Sequence, residues 1–151
     1  MTVKPIPDGY NAVTPYLVAD GAADLIDFMK SVFGARERMR MPGPNNTIGH
    51  AEMEIGDSVV MLADANSVDG NQPFPAMIMV YVEDVDAVFK SALSAGATSV
   101  RDVADQFYGD RIGGVRDRWG NLWYVATHVE DVSPEEMQRR SEELMKQQSQ
   151  G

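Results

Sequence analysis

The sequence contains no cysteine. That excludes disulfides, thiolate zinc sites and a cysteine nucleophile, and it suits a reducing compartment. No apolar run approaches the roughly 20 residues that span a bilayer; the longest, residues 76–82, has the length of a strand. Residues 1–8 carry no apolar export core, so the expected location is cytoplasmic. Basic residues are few: 13 Lys and Arg stand against 23 Asp and Glu, a formal net charge of −10. Such a field repels phosphate backbones and argues against nucleic acid as a partner. It either attracts a cationic small molecule or serves only to keep the protein in solution. Histidine is limited to His50 and His128. No glycine-rich nucleotide fingerprint is present.

What the chain does hold is an internal repeat. At 151 residues it is long enough for one well-buried core. Residues 18–20 (Val-Ala-Asp) lead into an amphipathic stretch, 22–33, closed by Gly34-Ala35. Residues 82–84 (Val-Glu-Asp) lead into a similar stretch, 85–94, closed by Gly96-Ala97. Leu25, Ile26, Met29, Val32 and Phe33 recur at helical spacing, as do Val85, Val88, Phe89 and Leu93. A glycine just past each helix suits the left-handed residue that ends it. Strand-like pairs follow, 47–55 with 59–62 and 113–117 with 122–126, around turns containing Gly56 and Gly120. Asp20 to Asp84 and Gly56 to Gly120 are both offset by 64 residues. The expectation is a single α+β domain of two tandem βαβββ modules, about 10–64 and 76–132, joined by a polar linker at about 65–75. Ser133-Pro134-Glu135-Glu136 reads as a capping box opening a charged C-terminal helix, about 133–147, on the surface or against a partner.

The repeat, together with Asp117-Arg118-Trp119-Gly120-Asn121-Leu122-Trp123, resembles the vicinal-oxygen-chelate (glyoxalase, bleomycin-resistance and dioxygenase) superfamily. Further segments, Thr14-Pro15-Tyr16-Leu17, Phe33-Gly34-Ala35, Gly49-His50-Ala51-Glu52 and Tyr108-Gly109-Asp110-Arg111, are similar to its PhnB-like branch. Arg118 stands where that turn usually has Pro. The resemblance implies two cupped mixed sheets with the site inside the cup, and pairing of two chains into a homodimer.

It also implies four metal ligands, which carry over to Val13 or Thr14, Val60 or Met61, Met77 and Tyr124. None is His, Gln or carboxylate, so no metal and no cofactor is expected. His50 and Glu52 lie two apart and share a strand face; they read either as a cross-face hydrogen bond or as an acid–base pair. His128 with Glu130 and Asp131 reads as a surface cluster or a dimer contact. The cup lining is expected from Tyr16, Met61, Met77, Met79, Trp123 and Tyr124, adaptable thioethers and aromatic faces that serve equally as core. In the loop at 108–111, Tyr108 and Arg111 could reach the cup mouth, Arg111 gripping a carboxylate, or Arg111 could form a structural ion pair. The expected function is binding of a hydrophobic or cationic small molecule. The alternatives are a glyoxalase-type lyase, isomerase or dioxygenase using a displaced metal or His50 and Glu52, and a dimer whose cups are filled by its own side chains.

Overall fold

Each repeat builds the same frame. In the computed structural model, which describes residues 2–67 and 71–150, the first consists of β1 (Tyr16–Ala19), α1 (Ala22–Phe33), β2 (Arg36–Pro42), β3 (Ile48–Ile55) and β4 (Ser58–Asp64). The second consists of β5 (Met77–Tyr81), α2 (Val85–Ser94), β6 (Thr98–Asp105), β7 (Asp110–Arg116) and β8 (Leu122–His128). Each forms a four-stranded mixed sheet, ordered β1-β4-β3-β2 and β5-β8-β7-β6. The first and last strands of each module pair in parallel and the rest antiparallel. The α+β architecture matches the expectation. Residues 68–70 of the expected linker lie outside the described residues.

Local chemistry explains the turns. Gly34 ends α1 at φ 64°, and Gly56 and Gly120 close their hairpins at φ 57° and 88°, a region only glycine enters without steric cost. The two helix starts are capped differently. The amides of Gly21 and Ala22 donate to the Asp64 carboxylate at the end of β4 (3.0 and 2.8 Å). In the second module Asp84 caps α2 itself, accepting from the Ala87 amide at 3.1 Å.

One sheet face in each module is covered by its helix. Leu25, Ile26 and Met29 of α1 pack on Leu17, Met53 and Leu62, all fully buried. Each such side chain contributes about 1.5–3 kcal/mol by leaving water. Helices α1 and α2 pack together, and Trp123 of β8 lies against Phe28 and Phe33 of α1 (ring centroids 6.4 and 4.9 Å), so one core crosses both modules. Helix α3 (Pro134–Ser149) has its Glu136 amide capped by Ser133 and buries no side chain. Arg140 ties it down, donating to the Phe107 carbonyl and the Glu130 carboxylate (3.0 and 2.6 Å). Among the described residues, no helix is long and apolar enough to cross a membrane.

Candidate functional site

The candidate surface is the sheet face turned away from the helices, and strand register decides what stands on it. In the first module Tyr16 pairs with Met61 and Met61 with Glu52, while Met41 pairs with His50. These side chains therefore share one face. The Tyr16 hydroxyl lies 3.0 Å from His50 Nδ1, and His50 Nε2 lies 2.9 Å from Glu52. Tyr10, from the segment before β1, donates to the other Glu52 oxygen. An ionised carboxylate only accepts, so a neutral His50 carries its proton on Nε2 and receives the Tyr16 hydroxyl at Nδ1. Burial pushes the Glu52 carboxyl up, but the hydrogen bonds from Tyr10 and His50 and the nearby charge of Arg38 outweigh it, and the group sits below its ordinary value.

In the second module Met77, Met79 and Tyr81 face outward from edge strand β5, opposite Leu122, Tyr124 and Ala126 of β8. Gly114 makes room for the Tyr124 ring: a Cβ there would lie 2.8 Å from it. A second polar array crosses three strands. The Tyr81 hydroxyl donates to Asp110 (2.6 Å), Asp110 contacts His128 Nδ1 (2.7 Å), and His128 Nε2 contacts Asp131 (2.8 Å). Asp110 is buried, yet its two hydrogen bonds outweigh burial and hold its carboxyl below the usual range. His128 is raised, by its bond to Asp110 first and by Asp131 second.

Between the modules lies a cavity of about 490 Å3, bounded by residues 13–15, the β3–β4 turn and residues 78–81 of β5. Met79 lines it. Tyr16 and Met61 stand on the first open face, Met77 and Tyr124 on the second.

Two expected lining residues, Trp123 and Arg111, are not brought to this surface. Trp123 is fully buried beneath the helices, with its indole N–H on Asp117 (2.8 Å). Adjacent strand residues point to opposite faces, so Trp123 and Tyr124 cannot both face the cup. Arg111 lies on the helix side and is held by Asp86 (2.8 Å) and Asp105 (3.1 Å). Its neighbour Asp110, one residue away, faces the open side. Tyr108 meets Phe107 edge-on in the β6–β7 loop and lies near enough to Tyr81 for its charge to help raise that phenol. Gly109 is required in that loop, since at φ 100° a Cβ would sit 2.1 Å from the Glu130 carbonyl oxygen. Sequence reasoning missed Tyr81, Asp110 and Tyr10. Tyr81 was readable, because it continues the alternation of Met77 and Met79. The other two depend on cross-strand register and on the path of the N-terminal segment.

The positions that would supply metal ligands carry Val, Thr, Met and Tyr side chains, and thioethers and aliphatic carbons do not fit a hard divalent ion. Among the described residues, no three His, Asp or Glu side chains gather into a group that could hold one.

Comparison with known proteins agrees with the fold. The uncharacterised proteins Mb0911c of Mycobacterium bovis and Rv0887c of Mycobacterium tuberculosis are each 40% identical over 139 residues. Those alignments cover 84% of this chain, and 90% and 80% of the two relatives. TioX from Micromonospora sp. ML1 is similar in structure, with TM-score 0.65 and 28% identity over 79% of this chain and 99% of that one. The PhnB protein of Bacillus cereus shares the fold at TM-score 0.62 and 19% identity, over 78% of this chain and 99% of its own. A family model described as Glyoxalase/Bleomycin resistance protein/Dioxygenase superfamily matches residues 10–125, and the chain belongs to that superfamily.

Proposed function

We propose that this protein binds a hydrophobic or cationic small molecule, without a metal, in the cavity between its two modules. The observation that carries this reading is the cavity itself. Its volume of about 490 Å3 falls within the roughly 300–1,000 Å3 typical of ligand sites. Its wall combines Val13, Val59, Ile78 and Met79 with a few polar groups, Thr14, Ser58 and Tyr81. Methionine gives such a wall adaptability and tyrosine a flat face with a polar tip. The reading includes a cytoplasmic location and a homodimer, in which a second copy covers exposed Met41 and Met77. The test is thermal melting of chelator-treated protein against a panel of aromatic and amphiphilic compounds. A ligand at 100 times its Kd should add about 2.7 kcal/mol, or several degrees. A panel that leaves the melting temperature unmoved would contradict the reading.

A second reading is favoured by the Tyr16–His50–Glu52 array, in which a carboxylate orients an imidazole that faces a phenol. This is the arrangement of a general base, and it supports an enzyme of the glyoxalase type. Turnover of hemithioacetals or catechols that disappears in His50→Ala would move this reading ahead of simple binding.

A further inference from the structure

The binding reading leaves open which polar chemistry the cavity accepts, and Tyr81 bears on it. Tyr81 lines the cavity with 61% of its surface exposed. Its hydroxyl hydrogen is engaged by Asp110 at 2.6 Å. Asp110 is only 5% exposed, and its other oxygen meets His128 Nδ1 at 2.7 Å. A carboxylate so enclosed has no second orientation to offer, and an ionised carboxylate never donates. The phenol hydrogen therefore stays turned toward Asp110, and toward the cavity the Tyr81 oxygen can only accept. Donation to a buried charge also makes that oxygen a better acceptor.

The charged part of the wall agrees, while Asn11 and Thr14 can donate as well as accept. Among the described lining residues there is no Lys or Arg; the one charged side chain is Asp57, an acceptor, and the Ser58 hydroxyl donates to it at 3.0 Å. Burying a carboxylate is costly unless donors satisfy it, and an exposed tyrosine on a sheet surface needs no such partner. Its placement behind a cavity-lining phenol is explained by fixing that phenol's polarity.

We propose that Tyr81, locked by Asp110 and His128, is a specificity-determining residue that selects ligands presenting an O–H or N–H donor on an apolar body, and disfavours ligands offering only acceptors. This rests on the binding reading above and names the ligand chemistry of the same site. Hydroxyl and amine donors share the chemistry. His128 acts through Asp110 and is a positioning residue.

The test compares 2-naphthol with 2-fluoronaphthalene, nearly equal in size and differing in the donor, by calorimetric titration of the full chain. Wild type should bind 2-naphthol at least about tenfold more tightly, the order expected for one hydrogen bond to a strong acceptor. Tyr81→Phe should bring the two probes to parity by weakening 2-naphthol alone. Asp110→Asn should reduce the ratio without abolishing 2-fluoronaphthalene binding. Equal affinities of both probes for wild type would overturn donor selection while leaving the binding reading standing, and so would an unchanged ratio in Tyr81→Phe. Absence of binding by either probe would overturn both.

Discussion

The two modules share a backbone and differ in what they do with it. The first is densely packed: α1 buries six side chains, and its open face is partly sealed by Tyr10 over Glu52. The second is looser. Helix α2 buries only Val85 and Ala92, its Asp86 is paired with Arg111 of β7, and Met77, Met79 and Tyr81 are left exposed. Both modules place a histidine, a carboxylate and a tyrosine on the open face. In the first, histidine and carboxylate lie two apart on β3. In the second, the array spans β5, β7 and β8 and borders the cavity. The repeat therefore preserves the frame, while the second module leaves Met77, Met79 and Tyr81 uncovered.

Mutations on adjacent residues of β8 should separate the two faces most sharply. Trp123→Ala should cost about 3–5 kcal/mol in denaturant unfolding, since it opens a cavity in the shared core. Tyr124→Ala, on the open face, should cost clearly less; equal costs would contradict the assignment of faces.

The next effect compares glycines. Gly109→Ala forces a Cβ onto the Glu130 carbonyl and should cost more than Gly34→Ala, which has the same kind of backbone angle and open space around it. The latter should cost about 1 kcal/mol, from the left-handed conformation alone.

A third comparison uses pH. The Glu52 and Asp110 carboxyls are held low, so their stabilisation is complete above the ordinary carboxylate range and is lost as pH falls through their folded values. His128 is held high, so its contribution is complete below about 6.5 and is lost as pH rises through its folded value. Below the range of tyrosine ionisation, Glu52→Gln should flatten only the acid limb of stability against pH. Asp110→Asn should flatten both limbs, because it also removes the main partner of His128. An alkaline limb unchanged in Asp110→Asn would break the contrast between the modules.

The smallest effect is expected at Arg111→Ala. Its ion pairs with Asp86 and Asp105 are partly exposed, and such pairs contribute about 0–1 kcal/mol. Ligand affinity should stay unchanged, because the side chain lies on the far side of the sheet.

Much of the frame was legible in the sequence because its causes are local. The glycines after helices and in hairpins and the period of Leu25, Ile26 and Met29 each act within a few residues, and the 64-residue offset repeats that pattern. His50 with Glu52 was legible for the same reason, being two apart on one strand. Edge strands β2 and β6 carry few apolar residues and gave no clear alternation. The partnership of Tyr81, Asp110 and His128 arises from pairing across a sheet, at separations of 18 and 29 residues, which one strand's pattern does not contain. Arg111 attracted attention for its charge, while alternation handed the open face to Asp110.

The most direct test of the central claim is methyl NMR of the protein's methionines during titration with a compound that raises its melting temperature, in the presence of a chelator. The ε-methyl of Met79, which lines the cavity, should shift in a saturable way, while those of Met29 on α1 and Met53 on β3, both fully buried, hold still. Shifts confined to the buried methionines, or saturation only when metal is restored, would contradict metal-free binding at the junction of the modules.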